Sequence, residues 1–212
     1  NMLPKKNHNF YLGSRASEEE INIAIKSSKV SYKKLKSVEK ETAKFLSEGK
    51  IIAWFQGATE FGPRALGNRS ILSRPFPESQ RDFINNRVKF REAFRPFAPA
   101  VLSEFSQEYF TLNQESPHML IASQVTEEKK NIIPAVVHID NSCRVQTVRE
   151  QNNQRFYNLI KEFYKITKCP VLLNTSFNVK GQPIVNKPDQ AIKCFLSTKI
   201  DILVMENYII TK

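Results

Sequence analysis

Between Arg64 and Arg95 the sequence carries eight basic residues, Arg64, Arg69, Arg74, Arg81, Arg87, Lys89, Arg91 and Arg95, against the acidic Glu78, Asp82 and Glu92. All but Lys89 are arginine, whereas lysine dominates the rest of the chain. A guanidinium is a planar fork that grips two oxygens of a phosphate or carboxylate, while an ammonium acts as a point charge. The change of residue type therefore points to recognition of a particular oxyanion. Gly62, Gly67, Pro63, Pro96 and Pro99 are interleaved with these arginines. Such residues fix unusual backbone angles or remove chain freedom, which suits side chains that must be held in place. For Arg74, Arg81 and Arg87, surface ion pairs with nearby Glu are the expected role.

Two more segments bear chemistry. Asn174-Thr175-Ser176-Phe177-Asn178 follows the apolar Val171-Leu172-Leu173, and ligands collect at the carboxyl ends of strands in open α/β sheets. Its amide and hydroxyl groups suit a carboxamide or the edge of a nucleoside, and equally suit a turn. His138 to Val148 has the form of a hairpin with Arg144 on its second strand, between Cys143 and Val145. A buried arginine there requires an anionic partner, either a ligand or an internal carboxylate. His8, His118 and His138 have no metal-ligand spacing, and neither a Gly-x-x-x-x-Gly-Lys-Ser/Thr loop nor a Gly-x-Gly-x-x-Gly occurs. Nucleotide binding here would need another kind of site.

Composition sets the frame. At 212 residues, 41% hydrophobic and 25% charged, the chain has the make-up of one soluble globular domain. No apolar run approaches the ~18 residues of a membrane span. Cys143, Cys169 and Cys194 are odd in number and far apart, which suggests neither a disulfide framework nor a metal site and fits a reducing cytoplasm. The net charge of +11 calls for acidic partners such as phosphorylated small molecules or nucleic acid. Residues 1–10 read as a boundary or linker of a longer protein.

The elements that must position these residues follow from patterning. Ser17-Glu18-Glu19-Glu20 has the form of a capping box and predicts a helix from about Ser17. Ser37 caps a second helix, with Val38, Phe45 and Leu46 inward, which stops at Gly49. Ile51–Phe55 reads as a strand buried on both faces. Phe156, Leu159, Ile160, Phe163 and Tyr164 recur at helical spacing and predict an amphipathic helix over Asn153–Lys168. Val171–Leu173 is then a strand, Asp189–Ser197 a helix, and Ile202–Met205 and Tyr208–Ile210 are strands. Shorter strands are expected at Ser70–Leu72, Pro99–Leu102, Met119–Ser123, Val136–Ile139 and Val145–Val148. The Lys-rich stretch Lys26–Lys44 reads as a solvated helix face. Strands outnumber helices without regular alternation, which is a mixed α/β pattern.

Taken together, Glu60-Phe61-Gly62-Pro63-Arg64-Ala65-Leu66-Gly67-Asn68-Arg69-Ser70, Val88 to Pro99, Arg144 to Val148 and Asn174 to Asn178 resemble the carboxyl-terminal domain of the O-carbamoyltransferases of nodulation and antibiotic tailoring. At Asp140–Arg144 the sequence departs from the family's Asp-Gly-Thr-Ala-Arg, with Asn141 in place of the turn glycine. The resemblance implies an α/β fold similar to Sua5/YrdC, an open twisted mixed β-sheet with flanking helices, filling 1–212. It implies that the domain uses ATP with Mg2+ and carbamoyl phosphate to make carbamoyladenylate. Arg64, Lys89, Arg95, Arg144, Asn174 and Ser176 would bind these substrates, with Lys89, Arg95, Arg144 and Ser176 at the reaction centre. Transfer to an acceptor would belong to an amino-terminal Kae1-like domain that has no counterpart in this sequence. A transition-metal ion is expected only there, and the isolated domain should be only partly active. Membranes are not expected partners. The alternatives are threonylcarbamoyladenylate-type transfer-RNA modification, or RNA binding with Phe90, Phe94 and Phe97 beside the basic stripe. The neighbours of those rings, Ala98 and Pro99, suggest core packing instead.

Overall fold

A computed structural model describes residues 10–212. The boundary or linker expected at 1–10 lies, apart from Phe10, outside the described residues.

The capping box forms as its residues dictate: Ser17 Oγ accepts from the Glu20 amide, Glu20 returns a carboxylate to the Ser17 amide, and α1 runs Glu18–Ser27. β1 (Ser31–Lys34) follows, exposed at every position. The Lys-rich stretch is thus solvated but is in part an edge strand, where charged side chains discourage pairing with other chains. α2 (Val38–Ser47) starts without a side-chain cap, because Ser37 Oγ donates to Glu39 instead. It ends at Gly49, whose φ of 91° is left-handed. β2 (Ile52–Phe55) and β3 (Arg69–Ser73) are buried throughout. α3 (Ser79–Ile84) runs into a π-helical turn, Asn85–Lys89. β4 (Ala98–Leu102), α4 (Ser106–Tyr109), β5 (Ile121–Gln124) and β6 (Ser142–Val148) precede α5 (Gln154–Thr167). β7 (Val171–Ser176), α6 (Pro188–Leu196), β8 (Ile202–Met205) and β9 (Tyr208–Thr211) complete the order.

The strands form one nine-stranded sheet in the order β1-β9-β8-β2-β3-β7-β4-β6-β5. β2 is parallel to β8 and β4 to β6, and the remaining pairs are antiparallel. This is the expected open mixed sheet. α2 packs on α5 and α1 on α6; α5 lies against β4 and β7, and α6 against β8 and β2. Trp54, Phe55, Phe156, Phe163, Phe177 and Phe195 fill the core between these layers. Among the described residues no helix is long and apolar enough to cross a membrane.

The hairpin expected from His138 differs in its partner. Val136–Ile139 is not a strand: Pro134 opens a 3-10 turn over Pro134–Val136, and proline cannot donate to a ladder. β6 pairs instead with β5, placing Ala122 opposite Arg144. The turn itself forms, with Asn141 left-handed at φ 63°, a conformation that asparagine adopts more readily than most residues.

Candidate functional site

The connection from β2 to β3 carries Arg64, and residues 10–14 are bonded across it. The Gly13 amide donates to Thr59 O (2.9 Å), the Thr59 amide to Ser14 O (2.9 Å) and the Phe61 amide to Phe10 O (2.6 Å). Gly67 presses the loop on α5 at φ 105°, and a Cβ there would stand 2.3 Å from Cδ1 of Phe156. Arg69 is not available to a ligand. It is fully buried, stacks 3.6 Å over Phe55, and donates to the carbonyls of Gln56 (2.5 Å), Asn68 (3.0 Å) and Gly57 (3.2 Å).

Beneath the loop the sheet presents a polar row. Successive side chains of a strand alternate between faces, so Arg144 and Gln146 of β6 share a face, as do Asn174 and Ser176 of β7. Register places Gln146 beside Ala100 and Asn174 beside Ala98, so only small side chains of β4 lie between the two polar strands. Asn174 Nδ2 donates to Gln146 Oε1 (2.8 Å) and to Ala65 O (3.1 Å), and Gln146 Nε2 donates to Leu66 O (2.8 Å). The two backbone carbonyls fix both amide orientations. That leaves Asn174 Oδ1 buried without a hydrogen-bond partner among the described residues, as are Nε of Arg64 and Nε of Arg144. Neither Arg64 nor Arg144 forms an ion pair among the described residues. Burial first, and the nearby charge of Arg64 second, push the Arg144 guanidinium below its ordinary value. Two like charges held together without a carboxylate between them attract a shared anion.

Lys89 ends the π-helical turn, a distortion common at functional sites. Phe90 follows in a left-handed conformation, and Asn85 Nδ2 ties the next loop by donating to Ala93 O and Arg95 O, both at 2.9 Å. Lys89 is 4% exposed, and its Nζ donates toward Ser176 O (2.9 Å), Ser176 Oγ (3.3 Å), Asn178 O (2.8 Å) and Asn178 Oδ1 (2.6 Å). Burial, then the charge of Arg91, lowers its pKa to about 7. The four acceptors act in the opposite sense, since an ammonium offers more hydrogens than a neutral amine. Arg91 donates to Asn85 Oδ1 (2.7 Å) and lies over Phe97. Arg95 sits at the surface, paired with Glu92 at 2.8 Å.

Of the six expected site residues, Arg64, Arg144 and Asn174 meet around the loop, and Lys89 and Ser176 form an adjoining cluster one alternation along β7. Arg95 is turned to Glu92 instead. Sequence reasoning missed Gln146, although it lies two residues beyond Arg144 and therefore on the same face. It also missed the part played by Asn85, for which no local signal exists. Arg81 forms the expected surface pairs with Glu78 and Asp82, but neither Arg74, which donates to Ser47 O, nor Arg87 has an acidic partner among the described residues. The core packing expected for Phe90 and Phe94 does not hold: they are 52% and 80% exposed, and only Phe97 is buried.

Residues 43–212 match the family model for the carbamoyltransferase C-terminus. The nodulation protein NolNO of Sinorhizobium fredii is 47% identical over 82% of this chain and 26% of its own length. The 3'-hydroxymethylcephem-O-carbamoyltransferase of Streptomyces clavuligerus is 40% identical over 70% of this chain and 28% of its own. The chain thus spans about a quarter of the length of these two relatives. Among solved structures, full-length HypF in a phosphate- and nucleotide-bound form aligns with 83% of this chain and 22% of its own at a TM-score of 0.57 and 20% identity. That likeness is one of fold.

Proposed function

The chain belongs to the carbamoyltransferase C-terminal family, and from that premise we propose that it binds carbamoyl phosphate and ATP and makes carbamoyladenylate. A Kae1-like domain of a longer protein would then transfer the carbamoyl group to an acceptor. The observation that carries the reading is the meeting of two guanidiniums without acidic partners and a buried amide oxygen without a donor. Carbamoyl phosphate offers the complement: a phosphate dianion for Arg64 and Arg144, and an amide N–H for Asn174 Oδ1. Inorganic phosphate satisfies only the first.

In the proposed reaction, water cleaves carbamoyl phosphate to carbamate and phosphate. A carbamate oxygen then bonds to the α-phosphorus of ATP as the bond to the β-phosphate oxygen breaks and pyrophosphate leaves. Displacement at phosphorus is promoted by positioning and by cations opposite developing charge, so no protein nucleophile is required. Arg64 and Arg144 would hold the departing phosphate, while Ser176 and Asn178 aim Lys89 along the same face. Arg95 could join after leaving Glu92. Magnesium would accompany the ATP phosphates as counter-ion. Three buried, unbridged thiols support a cytoplasmic setting.

The test is pyrophosphate release by the full-length parent supplied with ATP, magnesium and carbamoyl phosphate. Release that is lost in Arg64→Ala and in Arg144→Ala is expected; a folded parent that releases none refutes the proposal. The exposed rings of Phe90 and Phe94 near Arg91 and Arg95 favour one second reading, binding of single-stranded RNA by base stacking. It predicts affinity for an unstructured oligonucleotide that falls steeply with salt and is lost in Phe94→Ala.

A further inference from the structure

We propose that Glu60 is the positioning residue of this site, acting on a bound oxyanion only through Arg64. The inference rests on the reading of Arg64 and Arg144 as oxyanion ligands. Glu60 is 7% exposed, and its Oε1 accepts from the backbone amides of Leu66 (2.8 Å), Asn68 (2.8 Å) and Arg69 (3.1 Å). Its Oε2 is shut off from solvent and has no hydrogen-bond partner among the described residues. The carboxylate therefore serves the backbone alone and offers a ligand no oxygen.

The three bonds reach six, eight and nine residues forward and close the segment after Glu60 into a ring. The other side of the same peptides is held as well. Asn174 takes the carbonyl of Ala65, while Gln146 and the Tyr11 hydroxyl both donate to that of Leu66. Arg64 is next to this doubly held stretch. Since its guanidinium has no carboxylate of its own, the backbone decides where it stands. A buried carboxylate is expensive, and removing it leaves amides without acceptors. A compensating charge is that of Arg69: burial lowers its guanidinium pKa to about 10, the charge of Glu60 opposes that shift, and its bonds go to carbonyls and the Phe55 ring. A buried carboxylate held by backbone amides, with a buried guanidinium as a longer-range counter-charge, suits the specification of one loop conformation better than stability.

The experiment titrates the full-length parent with inorganic phosphate by calorimetry, with Glu60→Gln introduced alone, in Arg64→Ala and in Arg144→Ala. Glu60→Gln is expected to weaken binding by roughly tenfold or more alone and in the Arg144→Ala background, as loss of charge-assisted bonds implies. In the Arg64→Ala background it should cost less than about twofold, because its route to the anion is already gone. Equal losses in all three backgrounds, or none in the parent, overturn the proposal. If Arg64→Ala and Arg144→Ala themselves leave phosphate binding intact, the anion-site reading fails, which is a separate result. Should Glu60→Gln not fold, Glu60→Asp keeps the charge, shortens its reach and passes through the same cycle with the same two outcomes.

Discussion

Replacing Gly67 by alanine adds one methyl group where the structure has no space for it. The new Cβ would lie 2.3, 2.6 and 2.8 Å from Cδ1, Cγ and Cε1 of Phe156, a ring that is itself fully buried. Two costs follow, and they are separable. An L-residue held at φ 105° costs about 1–3 kcal/mol in backbone strain, and overpacking against the ring costs about 1–3 kcal/mol more. A loss of roughly 2–6 kcal/mol is a large share of the ~5–15 kcal/mol by which domains are stable. Urea unfolding of Gly67→Ala, Phe156→Leu and the double variant resolves the two. Phe156→Leu removes the ring edge, so it should return about 1–3 kcal/mol of the Gly67→Ala loss and leave the strain behind. If the two substitutions add to within ~0.5 kcal/mol, the ring is not what excludes a side chain at 67 and the close approach has been misread.

Asn174→Ala should weaken carbamoyl phosphate binding more than inorganic phosphate binding, because only the former offers Oδ1 a hydrogen; calorimetry with both ligands checks the ratio, and equal losses refute the role. Lys89 should shape the pH dependence of stability. Its folded pKa of about 7 lies below its ordinary 10.5, so between those values the unfolded chain binds more protons and stability rises with pH. The cost is fully present below about pH 7, with a ceiling on the order of 5 kcal/mol; pH-dependent unfolding of Lys89→Met should lack the rise, and parallel curves would refute the assignment. Glu92→Gln frees Arg95 from its exposed pair and should tighten phosphate binding up to about fivefold, given the ~0.2–1 kcal/mol of such pairs. Unchanged affinity in Glu92→Gln would leave Arg95 outside the site.

Four helices, α1, α2, α5 and α6, and the inner strands were legible because each carries a local signal, whereas the short α3 and α4 were not foreseen. Ser17 and Glu20 form the capping box they spell, Phe156 to Tyr164 repeat at helical spacing, and Ile52–Phe55 is apolar because both its faces are covered. β1 was hidden because an edge strand needs no buried face, and Ser-Tyr-Lys-Lys reads as part of a charged helix. The turn that delivers Lys89 gave no pattern either, since its geometry is set by Asn85 bonding to carbonyls eight and ten residues away. In the site, Arg64 and Arg144 were visible by residue type, being arginines in apolar or stiff settings. Glu60 and Gln146 were not assigned roles, because their partners are main-chain groups of a loop whose path no local pattern foretells. Arg69 looked like its neighbours in sequence and is wholly structural.

The bonds that span the loop also say when the site can exist. Asn174 meets Ala65 across 109 residues and Gln146 meets Leu66 across 80, so the pocket closes only after β7 and β6 have been laid beside strands made much earlier. Contacts of such separation carry the largest loop-closure cost and form late. A partly folded chain would own every one of these residues and yet have no affinity for phosphate. Ligand binding would then report completed folding, and a saturating oxyanion should raise the midpoint of unfolding in proportion to the logarithm of its concentration.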